Sequence, residues 1–277
     1  MKFWCYLVLL SVVLLVSCKQ NPKKHISLIG TWVSHDCILK INDTTGKKTD
    51  SALFDVNTIL NCSINKKGDS ILIKREYRFE QNIETNTYKY GFKILNQTDS
   101  VLNLKLVSGN ASIVSLKKDS AIQFIRDKYM KDETIKLEKI IFLSSGGYGS
   151  VSWLNMVIDS NKEIRYEANF DDKNRSGIFK GLLNDSFYKE LINILQTCDL
   201  RNLSANNIVE FDAGNQIIIA YFNHQRKGIL YFQPPVILNK LVNFLNKVYK
   251  IADIHSTKEK IEIEGAYSEI RDISRPK

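Results

Sequence analysis

Between Ile71 and Leu106 the apolar side chains fall on alternate positions. Ile71, Ile73, Tyr77 and Phe79 share one parity, interrupted by Arg75, while Lys74, Glu76 and Arg78 occupy the other. Tyr88, Tyr90, Phe92 and Ile94 then alternate with Lys89, Gly91 and Lys93, and Leu102, Leu104 and Leu106 carry the pattern to Ser108-Gly109-Asn110. Successive side chains of a strand point to opposite faces, so this period of two predicts half-buried antiparallel strands. Shorter apolar runs at 28–33, 37–41 and 58–64 precede it, and runs at 113–116 and 122–125 follow. Short strands joined by tight polar turns predict a meander over 26–127, closed or nearly closed into a barrel. Tyr77, Tyr88, Tyr90 and Phe92 then form an aromatic group on adjacent strands. Facing inward they are core or ligand lining; facing outward they are a binding patch.

The charged stretch 128–139 predicts a linker. Beyond it, 140–252 reads as α+β. Apolar runs at 140–143, 151–159, 163–170 and 176–182 predict strands, the middle two a hairpin around Ser160-Asn161-Lys162. Asn184-Asp185-Ser186 offers a helix cap, and Phe187, Leu191, Ile194 and Leu195 make one helical face behind it. Runs at 208–211 and 216–223 flank the turn composition Asp212-Ala213-Gly214-Asn215, and 228–232 follows a turn at 224–227. Pro234-Pro235 opens a second helix with the stripe Leu238, Leu241, Val242, Leu245 and Val248. The expectation is an antiparallel sheet with two helices on one face, then a loose tail at 253–277. The predicted fold class is thus mainly β with an α+β second half.

The chain opens on Met1-Lys2, an apolar run from Phe3 to Val16 broken by Ser11, then Ser17-Cys18 and a polar stretch with Lys19, Lys23 and Lys24. This is the layout of a secretory signal, too short for a comfortable membrane span. Leu15-Val16-Ser17-Cys18 resembles the lipobox of bacterial lipoproteins. The resemblance implies that 1–17 is removed, that Cys18 carries diacylglycerol and an N-terminal acyl chain such as palmitate, and that 18–25 is a lipidated tether. The implied address is the bacterial cell envelope, at the outer membrane facing the periplasm. The formal net charge of +9 is scattered, except for the lysines beside the lipid, which would face anionic head groups. An exported protein meets little nucleic acid, so no nucleic-acid partner is expected. Once Cys5 and Cys18 are set aside, Cys37, Cys62 and Cys198 remain. Cys37 and Cys62 fall in one predicted domain and could form a disulfide; the alternative is three buried thiols acting as small hydrophobes.

Two further resemblances bear on the fold. Gly30-Thr31-Trp32 resembles the Gly-x-Trp opening of lipocalins. Ser112 to Asp119 with Ile122 to Arg126 resembles the last hairpin of small lipocalin-like lipoproteins. That family implies an up-and-down barrel with Trp32 plugging one end and Arg126 over it. It also implies a small apolar ligand, although many small members have filled interiors. The second half resembles an uncharacterised bacterial domain of lipoproteins over 147–195, but Gly147 and Val151 replace its two loop cysteines and Ser152 its proline, so no redox or metal role carries over.

Chemistry is sparse. Ser145-Gly146-Gly147-Tyr148-Gly149 follows a strand, but a phosphate-cradling loop needs a helix next and another strand is expected. His35-Asp36-Cys37 are neighbours that cannot converge as a triad, and His25, His224 and His255 have no visible partner. No metal-ligand spacing and no tuned carboxylate pair stands out, so no catalytic residue, metal or cofactor is expected. The expected function is a non-enzymatic, membrane-anchored binding module whose barrel or interdomain cleft holds a small apolar ligand or an envelope component. The alternatives are an interaction or immunity-type protein that grips a protein partner through its second domain, and, more weakly, an envelope hydrolase.

Overall fold

The structure is a computed structural model. It describes residues 26–35, 37–47, 50–53, 59–78, 85–109, 121–145, 152–203, 214–231, 234–250, 252–259 and 261. The leader and tether (1–25), the Gly-rich loop at 146–151 and the predicted strands at 113–116 and 208–211 lie outside the described residues. No helix among the described residues is long and apolar enough to cross a membrane.

Eight antiparallel strands close into a barrel in sequence order: β1 Gly30–Val33, β2 Ile38–Ile41, β3 Asp50–Leu53, β4 Ile59–Lys67, β5 Ser70–Arg78, β6 Thr85–Gln97, β7 Val101–Ser108 and β8 Ala121–Arg126. Pairing of β1 with β8 closes it, with Trp32 opposite Arg126. The predicted alternation decides what points inward. In β7, Leu102, Leu104 and Leu106 are buried between more exposed neighbours. Ile71 faces Phe92 and Ile73 faces Tyr90 across β5 and β6. Closure removes sheet edges, so the ladder needs no other cover.

The second unit is one antiparallel seven-stranded sheet, ordered β14-β13-β9-β10-β11-β12-β15. Its strands are β9 Leu137–Ser145, β10 Trp153–Asp159, β11 Glu163–Asn169, β12 Gly177–Leu182, β13 Gln216–Phe222, β14 Gln225–Tyr231 and β15 Asp253–Ser256. β9 is apolar on both faces because both are covered. Ile140 and Phe142 join the core under the helices, while Ile141 and Leu143 join a second cluster on the opposite face with Val157, Ile217, Ile219 and Leu230. Helix α1 (Asp185–Thr197) is capped by the Asn184 side chain, which accepts from Phe187 N at 2.9 Å. Such a cap is worth about 1 kcal/mol. Its Leu191, Ile194 and Leu195 are buried. Helix α2 (Asn239–Val248) follows a 3-10 turn at Val236–Leu238 and buries Leu241, Val242, Phe244, Leu245 and Val248.

Three expectations need correction. The charged linker is not free of the fold: Ile135 and Leu137 are buried, β9 begins at Leu137, and Asp132 N donates to Gln196 O at 2.7 Å. Arg201 Nε donates to the Asp132 carboxylate at 2.8 Å, and the Thr134 hydroxyl and Arg201 together hold that carboxyl below its usual range. The tail is not loose at its start, since β15 pairs with β12, Thr257 N donates to Ile178 O at 2.9 Å, and Ile261 packs on the outer cluster. The turn between β13 and β14 is tighter than 224–227: Asn223 (φ 49°) and His224 (φ 59°) alone make it, the two positive φ values of a type I′ hairpin.

Candidate functional site

The barrel interior was the first candidate. Trp32 has no exposed surface, and its Nε1 donates to Leu28 O at 2.7 Å. The Arg126 guanidinium stands 4.5 Å from the ring centroid, a cation over an aromatic face. Tyr90 and Phe92 point inward and are buried, so they are core and not an outward patch. The side chains of Tyr77 and Tyr88 lie outside the described residues. Leu39, Ile41, Ile64, Ile71, Ile73, Leu104 and Phe124 join Trp32, Tyr90 and Phe92 in one cluster. The protein's own side chains therefore occupy the described part of the interior.

The Cys37–Cys62 disulfide is not formed. Cys37, Cys62 and Cys198 are all buried thiols. Burial, with the nearby Asp50 charge adding to it, pushes the Cys62 thiol up to about 12; burial does the same for Cys198. Thiols so placed stay protonated and are poor nucleophiles. Asp50 was not foreseen. It is 1 % exposed, and its carboxylate accepts from the backbone N–H of Asn42 (2.6 Å), Asp43 (3.1 Å) and Ile64 (3.0 Å). It staples the β2–β3 loop to β4.

Among the described residues His224 and His255 do not gather into a site. His224 is at a hairpin tip, where its ring Nδ1 lies 3.3 Å from Glu138, and His255 is on edge strand β15. Among the described residues no group of three His, Cys, Asp or Glu is placed to hold a metal ion. A cleft of about 190 Å³ lies where Val33, Ile38 and Met130 meet Ile194, Cys198 and Ile237. It is too small for a drug-sized ligand.

A larger concavity lies at one end of the second sheet. There β9 ends at Ser144-Ser145 and β10 begins at Trp153, which pairs with Ser145. A groove of about 490 Å³ opens on the face away from the helices, lined by Leu143, Ser144, Ser145, Trp153, Asn155, Asn215 and Ile217. The register sets its floor: Asn155, Leu143, Ile217 and Leu230 are consecutive cross-strand partners. The Ser145 hydroxyl bonds Asn215 in both directions, donating to its O at 3.3 Å and accepting from its N at 3.1 Å, which pins the start of β13 to the end of β9.

Around the sheet end, on the helix side, lies a smaller pocket of about 170 Å³. It shares Ser144, Ser145 and Trp153 and adds Ser152, Leu154, Phe170, Asn246 and Tyr249. Its aromatic wall is braced. Phe170 and Tyr249 stack with centroids 5.0 Å apart, and Tyr249 tilts against Tyr166 at 5.7 Å, which stacks on Phe179 at 4.9 Å. The Ser176 hydroxyl fixes the Phe170 backbone, accepting from its N at 2.8 Å and donating to its O at 2.9 Å. Burial pushes the Tyr166 phenol up to about 12, so it stays neutral. Among the described residues no ionisable side chain lines the larger groove, and the Tyr249 phenol is the one that lines the smaller pocket.

Reading the sequence alone singled out the Gly-rich loop between these strands, but not the residues beside it. Trp153, Phe170 and Tyr249 are far apart in the chain, and only the strand order brings them together. The half-exposed Trp153 inside an otherwise apolar strand was the one signal present. No protein-family model and no curated protein sequence matches the chain.

Proposed function

We propose that this chain is a membrane-tethered, non-enzymatic binding protein of the bacterial envelope, and that it binds its ligand at the end of the second sheet. The observation that carries this reading is the paired groove around Trp153: sized for a small ligand, apolar on its floor, with a few placed neutral polar groups. The protein's own side chains occupy the described part of the barrel interior, which favours a ligand seated elsewhere. Among its described residues the groove holds no general base, carboxylate pair or ionisable thiol, which favours binding over turnover. The tether reading rests on the lipobox at Cys18.

The test is native mass spectrometry of the full-length lipoprotein extracted in mild detergent. A small molecule should co-purify with the wild type and be lost from Trp153→Ala, with circular dichroism unchanged. A ligand retained by Trp153→Ala places the site elsewhere.

A further inference from the structure

We infer that the rim of the barrel at which the chain enters and leaves is a lipid-docking surface, seated on the membrane that holds the tether. This rests on the tether reading and adds which face of the protein meets the lipid.

Among the described residues five large hydrophobic side chains are half exposed or more: Ile29, Leu95, Val107, Tyr129 and Leu182. One such side chain alone is ordinary on a protein surface. Here three of the five stand at one end of the barrel. Ile29 lies three residues before Trp32 and Tyr129 three residues after Arg126, and Trp32 and Arg126 are a pair that closes the barrel. Leu95 falls near the end of β6, past the β4–β5 turn, because the Ile94 N–H before it donates to Asp69 O in that turn. The β6–β7 register skips Leu95 between Ile94 and Asn96, and a bulge of this kind re-aims a side chain. Val107 lies toward the other end of β7, and Leu182 ends a strand of the second sheet.

The apolar tip is held in place. Leu28 is buried in the barrel core and its carbonyl accepts from Trp32 Nε1 at 2.7 Å, while its neighbour Ile29 stays exposed. The Ile29 N–H donates to the Ser27 hydroxyl at 3.2 Å. Docking therefore has little backbone to order here. Tyr129 joins an apolar ring to a polar tip, which suits the head-group level of a bilayer. The Lys128 Nζ stands 4.6 Å from the centre of that ring, so ring and ammonium would reach the head groups together.

Charge and chain path agree with this face. Among the described residues Lys47, Lys67, Lys93 and Lys128 stand exposed around the rim with Asp69, Asp99 and Asp127. These charges nearly cancel, and the attraction to anionic head groups sits in the tether, at Lys19, Lys23 and Lys24. The tether runs into Ile26 at this rim, so an acyl chain at Cys18 draws this end toward the lipid. At the opposite end the β1–β2 turn meets the second unit: Ile237 N donates to His35 O at 3.3 Å, and Val33 packs on the core under the helices. Burying Ile29, Leu95 and Tyr129 in the interface would add to the hold of the acyl chains.

The experiment uses the full-length lipoprotein, purified from membranes and reconstituted into vesicles of phosphatidylethanolamine and phosphatidylglycerol. Ile29→Cys, Leu95→Cys and Tyr129→Cys each carry a nitrobenzoxadiazole label, with Val107→Cys and Leu182→Cys as controls; Cys37, Cys62 and Cys198 are buried. Emission from positions 29, 95 and 129 should move to the blue on reconstitution and be quenched by brominated acyl chains. Positions 107 and 182 should keep the emission of a label in water. Circular dichroism checks each fold, and three rim positions keep the test standing if one label disturbs the rim. Flotation with the vesicles and palmitate at Cys18 are read on the same samples. A chain that floats with all five labels in water keeps the tether and loses the docking surface. Quenching at 107 or 182 in place of the rim seats the protein on another face and also overturns the inference. Quenched rim labels on a chain without palmitate would keep the docking surface and refute the lipid anchor. A chain that neither floats nor carries palmitate refutes both.

Discussion

At the scale of single residues, the most consequential side chain in the barrel is a carboxylate. Asp50 is buried and accepts three backbone N–H groups from two directions. Asp50→Ala removes the shared acceptor of all three donors, of which the Ile64 N–H is buried. We expect a loss of about 2–4 kcal/mol, read as a lowered urea midpoint of the barrel transition. An unchanged midpoint would mean that water reaches those donors. The sequence could not show this residue, because Asp50 ends a polar run that reads as a solvated turn. Its partners depend on how the 42–51 loop folds against Ile64. Trp32, Tyr90 and Phe92 were legible for the opposite reason: large apolar side chains on the shared parity of a two-residue period have one place to go. Whether they line a hollow or fill it was not legible, since that depends on volumes meeting across strands. The thiols were an open choice between bridge and burial, and burial won.

At the scale of elements, long periodic segments were legible and short edges were not. Both helices sit on the predicted stripes, and β6 and β7 follow the alternation. Strand β15 was read as loose tail because Asp253-Ile254-His255-Ser256 has no usable periodicity. Its place comes from its neighbour. Gly181 lies opposite Ile254, and a Cβ there would collide with the backbone carbonyl of Asp253. Backbone cannot yield as a side chain can, so Gly181→Ala should push β15 off the sheet. Hydrogen exchange at 253–256 should then accelerate, while exchange in β9 and β10 stays slow. Protection of 253–256 equal to wild type would show that β12 can shift to admit the methyl. The linker was misread by the same rule in reverse. Charges at Lys131, Asp132 and Glu133 dominate the composition, yet the buried Ile135 and the Asp132–Arg201 pair bind the segment to the helix layer.

At the scale of the whole molecule, the two-part layout of barrel and helix-backed sheet was legible, but the proposed binding site was not. It is assembled from β9, β10, the end of β11, the start of β13 and the end of α2, and strand order is what sequence pattern leaves open. The proposed anchor is testable at this scale. Cys18→Ser should end palmitate labelling and release the chain from membranes, or leave it uncleaved, because stable anchorage needs more than one acyl chain. Equal labelling of the variant would refute the anchor. The closure of the barrel then has a geometric consequence. Because β1 and β8 are antiparallel, the chain enters and leaves the barrel at one rim. Two bonds clamp the entering strand there, Gln97 Nε2 to Ile26 O at 2.9 Å and Arg126 Nη2 to Ser27 O at 2.5 Å. A lipid at Cys18 would act on that rim through a leash of about 29 Å at most, the full extension of the eight steps from Cys18 to Ile26. The barrel would thus hang as a float moored at its exit, and the segment leading to the second sheet would start on the bilayer side.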